Sequence, residues 1–160
     1  MTVFVCVACE SPIAGPLTEL AEVPARPRFD GSVQADGYRR APATVPLGFF
    51  ALEPEPWGAP LVPSEECHTV FAGGPCLGDP DGDGFLVSAG PRDTVVLHPD
   101  DAPGLRPNFG AEHVGCCGFH GQAGVNRWCP CGAEVGTEIS DCCTAYELHL
   151  DPARVRPVAA

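Results

Sequence analysis

The stretch TVFVCVACE, residues 2–10, indicates the local structure at one end of the chain. Valine alternates with other apolar residues here, which is typical of a β-strand, so we predict a strand over Val3–Val7. Cys6 and Cys9 have the C-x-x-C spacing, in which a tight turn can aim two thiolates at one cation. The stretch therefore predicts a strand that ends in one half of a zinc site.

A second cysteine pair stands far downstream, in the stretch RWCPCGAEV of residues 127–135. An apolar residue follows the last cysteine of each pair by four positions, and two such knuckles facing each other form a zinc ribbon. We predict that Cys6 and Cys9 share one structural zinc with Cys129 and Cys131. The C-x-C spacing of the second pair is one residue shorter than usual, which leaves open whether both of its thiols bind the same ion.

One ion held by both pairs would bring the two ends of the chain together. The strand Val3–Val7 should then lie close to a C-terminal strand over Ala145–Leu150 and could pair with it. Apolar residues at positions 146, 148 and 150 alternate with Glu147 and His149, which predicts a half-buried strand. Asp151-Pro152 then predicts a short helical turn over Ala153–Arg156.

Two pairs of adjacent cysteines supply further candidate ligands, Cys116-Cys117 and Cys142-Cys143. Adjacent side chains on an extended strand point to opposite faces, so each pair should give one ligand to a given site. We take Cys116 and Cys142 as the candidates, while Cys117 with His120 also has a C-x-x-H spacing that zinc accepts. These residues could form a second site, but no spacing fixes its membership.

Composition limits the architecture of the 160-residue chain, which has the length of a single domain. Its 19 glycines and 19 prolines are spread along most of the sequence and exclude a helical bundle. We predict a mostly β fold with little α-helix, in which zinc-ribbon-like elements from the two ends meet and long Pro/Gly-rich loops intervene. Residues 24–63 should form a proline-rich irregular arm around one apolar segment, Leu47–Leu52, while Phe85–Ser88 and Thr94–His98 should form a hairpin.

The net charge of −12 restricts the partners of the protein. It argues against nucleic acid and against anionic membrane surfaces, and it favours a basic protein as partner. The N-terminus has no basic segment followed by a long apolar one, so we predict a cytoplasmic protein. In a reducing cytosol the ten cysteines favour metal ligands or free thiols over disulfides.

Catalytic and calcium-binding motifs are weak. No H-E-x-x-H spacing occurs, an all-thiolate zinc leaves no open position, and the adjacent Cys67 and His68 cannot face each other on a regular element, so the sequence argues against an enzyme. Asp79, Asp81 and Asp83 have the spacing of a calcium loop, but the bidentate glutamate is missing, which favours a tight acidic turn. We interpret three cysteines as small buried hydrophobic residues, namely Cys67, Cys76 and Cys143.

The opening FVCVAC and the stretch GCCGFHGQAGVNRWCPCGAEVGTEISDCC, Gly115–Cys143, followed by ELHLDPARV, resemble small uncharacterised cysteine-rich proteins of actinobacteria. The resemblance covers about the first twenty and the last fifty residues, and the chain departs from it at His120 and Cys143. It implies a cysteine–metal centre and gives no activity.

The sequence is therefore compatible with three classes of function. The first is a structural-zinc β protein that acts as a protein-interaction module. The second is an acidic inhibitor or immunity-type protein directed at a cationic enzyme. The third is a thiol-redox or metal-dependent enzyme. Metal content per chain, measured with the number of free thiols, is the observation that best separates them.

Overall fold

The computed structural model of the protein describes residues 1–71 and 76–160. Within these residues the only helical element is a 3₁₀ turn at Pro99–Asp101, and none is long and apolar enough to cross a membrane. The mostly β prediction is confirmed. The strands are β1 (Thr2–Cys6), β2 (Pro12–Glu19), β3 (Phe49–Glu53), β4 (Leu61–Ser64), β5 (Leu77–Gly78), β6 (Phe85–Ser88), β7 (Thr94–Leu97), β8 (Arg106–Pro107), β9 (Arg127–Trp128), β10 (Glu134–Ile139), β11 (Glu147–Leu150) and β12 (Val155–Ala159).

Nine of these strands form one sheet, in the order β12-β1-β2-β3-β7-β11-β10-β9-β8. All its neighbours are antiparallel except β2 and β3. The two chain ends meet as predicted, because β1 pairs with β12 over its whole length, from Thr2 opposite Ala159 to Cys6 opposite Val155. The predicted neighbour is wrong, since β11 lies between β7 and β10. Residues 152–154 form a turn, and the chain continues from Val155 as a strand rather than as the predicted helical turn.

The central strands β3, β7 and β11 carry the core. Phe50 stands opposite Leu97, which stands opposite Leu148, and this row belongs to the larger apolar cluster. The other face of β11 is also covered, because Trp57 stacks on His149 with ring centroids 3.6 Å apart. The half-buried prediction for this strand is therefore wrong: Glu147 is 0% exposed and His149 2%.

The segment predicted as an irregular arm has two different parts. Residues 24–48 contain no regular strand, whereas the apolar segment at its end becomes β3 in the middle of the large sheet. Charge and aromatic contacts fasten the irregular part to β11 and its preceding residue. Arg26 forms an ion pair with Glu147, and the guanidinium of Arg40 lies over the ring of Tyr146.

The remaining strands form a small sheet in the order β4-β6-β5. The predicted hairpin of Phe85–Ser88 with Thr94–His98 is wrong, because β6 belongs to this small sheet and β7 to the large one. The turn between them passes directly beneath the backbone at Trp57, where a Cβ on Gly90 would lie 2.1 Å from the Trp57 carbonyl oxygen.

Candidate metal centres

Four cysteine thiols from distant parts of the chain converge at the junction of the two ends. The sulfurs of Cys6, Cys9, Cys129 and Cys131 all lie within 4.8 Å of one another. The Sγ atoms of Cys6 and Cys131 are 3.9 Å apart, and those of Cys9 and Cys129 are 3.6 Å apart. Tetrahedral zinc with Zn–S bonds of about 2.3 Å requires sulfurs about 3.8 Å apart. The donor set and its spacing therefore fit a zinc ion.

Each cysteine pair lies in a knuckle that joins two antiparallel strands, β1 to β2 and β9 to β10. The first cysteine of each knuckle makes the same two backbone hydrogen bonds. The N–H of Cys6 donates to the Ser11 carbonyl, and the Cys6 carbonyl accepts from the N–H of Glu10. In the second knuckle Cys129 makes the corresponding bonds to residues 133 and 132. The two loops are structural equivalents despite their different lengths.

This equivalence explains how a C-x-C pair can match a C-x-x-C pair. The residue after the second cysteine has a left-handed backbone in both knuckles, with φ of 62° at Glu10 and 96° at Gly132. Glycine adopts this conformation at no steric cost. The shorter loop thus reverses direction at Gly132 and still turns both Cys129 and Cys131 towards the first pair.

Burial and charge differ within the four-cysteine cluster. Cys6 and Cys129 are buried, whereas Cys9 and Cys131 lie at the surface. Hydrogen bonding to Ser11 lowers the pKa of Cys9 to about 6, and burial raises the pKa of Cys129 to about 12. The guanidinium of Arg106 donates to the Pro130 carbonyl, which places a cation beside the anionic charge that four thiolates would carry. A buried thiol of this kind loses its proton when a metal binds it.

A second group combines Cys116, Cys117 and Cys142 with Asp141. The Sγ atom of Cys116 is 3.0 Å from that of Cys142 and 3.5 Å from that of Cys117. The sequence analysis expected one thiol of Cys116-Cys117 at a given site, and the structure brings both sulfurs into this group, because the pair lies in a bend rather than on an extended strand. Asp141 was missed by the sequence analysis, although its position directly before a cysteine pair was a usable signal.

The cysteines interpreted as buried hydrophobic residues are placed differently. Cys67 and Cys76 form a disulfide, and Cys67 is exposed. Cys143 is exposed as well, with its sulfur 3.8 Å from Oδ2 of Asp141. The interpretation is therefore wrong for all three cysteines, since Cys76 is half-buried and bonded to Cys67. Nδ1 of His120 accepts a hydrogen bond from the backbone N–H of Gln122, a contact within its own loop.

The aspartates with calcium-loop spacing form a tight turn before β6. Oδ1 of Asp79 accepts the N–H of Asp81, and the N–H of Asp79 donates to the Gly84 carbonyl. Asp81 and Asp83 are exposed. The local hydrogen bonds of an Asx turn account for this geometry.

No family model, no curated protein and no solved structure matches the chain. The resemblance to actinobacterial proteins therefore stays a prediction. The two cysteine groups, which could hold metal ions, are the features of the structure that bear on function.

Proposed function

We propose that this is a structural-zinc β protein, in which one zinc ion bound by Cys6, Cys9, Cys129 and Cys131 joins the two ends of the chain. The convergence of four thiols within 4.8 Å carries the proposal. Four cysteine ligands complete the coordination of zinc and leave no position for water or substrate. Such a site stabilises a fold rather than catalysing a reaction.

The energetics of chain closure favour this role. The cysteine contacts between the knuckles span 120 to 125 residues of sequence. Closing a loop of that length costs only about 4 kcal/mol by the logarithmic length dependence. A structural zinc contributes on the order of 10 kcal/mol or more. One ion therefore suffices to fix the junction of β1–β2 with β9–β10.

Zinc content per chain tests the proposal directly. Cys9→Ser and Cys131→Ser each remove an exposed ligand, and we expect each to lower the zinc content of the purified, reduced protein by at least one ion per chain. Cys143→Ser is the matched control, since that cysteine is exposed and outside the four-cysteine cluster. Full zinc content in both ligand variants would contradict the proposal.

The partner that we propose is a basic protein, which binds at one end of the small sheet. Ser64 and Gly78 both pair with Phe85, so the segments that follow β4 and β5 leave the sheet at the same end. These segments place five carboxylates there, from Glu65, Glu66, Asp79, Asp81 and Asp83. Four of the five residues are exposed, all but Asp79. Charge complementarity of this kind steers association with cationic surfaces, as an acidic inhibitor of a cationic enzyme would require.

Charge reversal tests this location. We expect Glu65→Lys/Asp81→Lys/Asp83→Lys to weaken binding of protamine, an arginine-rich probe, about tenfold more than a control with the same net charge. The control is Glu19→Lys/Glu22→Lys/Glu112→Lys, which reverses three exposed carboxylates elsewhere. Affinities are measured by calorimetry at two salt concentrations. Equal weakening in both variants would show that the probe responds to net charge alone and would reject this surface.

A further inference from the structure

The loop of residues 114–119 is shaped to press two adjacent cysteines against the segment 140–142. A Cβ on Gly115 would lie 2.1 Å from Oδ2 of Asp141, and one on Gly118 would lie 2.4 Å from the Ser140 carbonyl oxygen. Only glycine permits this approach on both sides of the cysteine pair. The N–H of Gly115 also donates to the Gly118 carbonyl at 2.7 Å and closes the loop.

Asp141 holds the two halves of this arrangement together. Its Oδ1 atom accepts the backbone N–H of Cys117 at 2.7 Å and that of Cys142 at 2.9 Å. Burial acts to raise the pKa of Asp141, but these amide hydrogen bonds outweigh it and hold the pKa below its usual value. One buried carboxylate thus fixes the backbone of both cysteine segments.

Three sulfurs converge above this anchor. Those of Cys116 and Cys142 are 3.0 Å apart, and that of Cys117 is 3.5 Å from Cys116. Both distances are shorter than the roughly 3.8 Å between two sulfurs on tetrahedral zinc, so an ion has to move the sulfurs of Cys116 and Cys142 apart by about 0.8 Å. A disulfide would use two of them and leave the third thiol without a role. Three thiolates around one soft divalent cation use all of them.

We propose that Cys116, Cys117 and Cys142 form a second zinc site with three thiolate ligands and a fourth coordination position open to solvent. We assign Asp141 as a positioning residue in this site, because its Oδ1 atom accepts two amides and its Oδ2 atom lies against Gly115 and the Cys143 sulfur. Cys116 and Cys117 are exposed, and Cys117 also lines a cleft of about 420 Å³ together with Phe119 and Arg127. Water or a small ligand can reach the fourth coordination position from this side.

An open, exposed site exchanges its metal faster than a closed one. The experiment loads the full-length, reduced protein with zinc and follows its release to a chromogenic chelator. We expect two ions per chain, one released at least about tenfold faster than the other, which corresponds to about 1.4 kcal/mol in activation free energy. Cys116→Ser and Cys142→Ser should each abolish the fast phase alone. Cys143→Ser should retain both phases, and circular dichroism verifies the fold of each variant.

Asp141 supplies a second measurement. Asp141→Asn keeps an oxygen that can accept both amide hydrogen bonds, so we expect it to retain the fast ion, whereas Asp141→Ala should lose it. Loss of the fast ion in both variants would make the carboxylate a ligand and overturn the three-thiolate site. Retention of the fast ion in Cys116→Ser or Cys142→Ser would overturn it as well. A Cys116–Cys142 disulfide found by mass spectrometry in protein purified without reductant, together with the absence of a fast ion from the reduced protein, would replace the site with a redox pair.

This proposal is independent of the four-cysteine zinc site. Cys116→Ser and Cys142→Ser report on the fast ion only, because both leave the four-cysteine cluster intact. A folded wild type that releases only a slow ion therefore shows that this second site fails, and one that releases only a fast ion shows that the four-cysteine site fails.

Discussion

Removal of zinc from the four-cysteine cluster is expected to unfold the protein, so that the metal-free chain shows no cooperative thermal unfolding transition. A structural zinc contributes on the order of 10 kcal/mol, which equals the whole stability of a typical domain of about 5–15 kcal/mol. The backbone pairing of the β1–β2 hairpin with the centre of the sheet is short, because β2 pairs with β3 over Thr18 and Glu19 alone, and the hairpin is otherwise attached by apolar packing in the larger cluster. Chelation under reducing conditions, followed by circular dichroism and calorimetry, measures the effect.

Two controls separate zinc loss from general damage. Re-addition of zinc should restore the transition, because the chain itself is unchanged. Cys9→Ser should reproduce the chelated state in the presence of excess zinc, while Cys143→Ser should melt like the wild type. An unchanged melting curve after verified metal removal would exclude a structural role for the ion.

The four-cysteine cluster was predictable because its signal is local. Two cysteines separated by a tight turn already face one point in space, and two such turns with similar flanking residues suggest a shared ion. The shortened spacing of Cys129 and Cys131 was the weak point of the prediction. The structure resolves it through the left-handed backbone at Gly132, a residue visible in the sequence but not interpretable without its hydrogen-bond partners.

Strand partners were less predictable because pairing is decided by distant segments. Val155–Ala159 contains a proline, yet it becomes the edge strand β12 because β1 supplies a complete antiparallel partner. The turn that joins β6 to β7 contacts the backbone of Trp57 through Gly90, and the two strands belong to different sheets. No pattern within residues 85–98 contains that contact.

The sequence analysis also did not predict the buried polar network around Glu147. Its carboxylate accepts hydrogen bonds from the Thr44 hydroxyl at 2.6 Å and from Nε2 of His149 at 2.7 Å, and it pairs with Nε of Arg26 at 2.8 Å. Nδ1 of His149 accepts from the Thr94 hydroxyl at 2.8 Å. Alternation of polar and apolar residues suggested that one side of β11 faces solvent. That side is covered by Trp57 and by Arg26 and Thr44 of residues 24–48, which the local pattern of β11 does not show.

The pKa shifts of His149 and Glu147 predict how the stability of the protein changes with pH. Burial lowers the pKa of His149 below 6.5, so the neutral imidazole is the folded form and its stabilising contribution is complete above pH 6.5 and declines below it. Burial acts to raise the pKa of Glu147, but hydrogen bonding and ion pairing lower it to about 2 from 4.5. Its contribution is therefore present above pH 4.5 and is lost as the pH falls towards 2. Both groups destabilise the protein towards acid.

Glu147→Ala is expected to lower the free energy of unfolding at pH 7 by about 3–5 kcal/mol, because it leaves the Arg26 guanidinium without its most buried partner. Glu55→Ala is the matched control, since Glu55 pairs with Arg92 at the surface and should cost less than about 1 kcal/mol. Urea unfolding in excess zinc measures both variants.

The same variant should also release the irregular arm, because Arg26 and Thr44 connect residues 24–48 to the core through this carboxylate. Trypsin then cuts after Arg39 and Arg40 faster than in wild type or in Glu55→Ala, at a concentration where all three proteins remain folded. The difference in unfolding free energy between wild type and Glu147→Ala should shrink as the pH is lowered from 4.5, where wild type itself loses the charge. A difference that stays constant down to pH 2 would mean that Glu147 stabilises the fold by packing rather than by its ionised carboxylate.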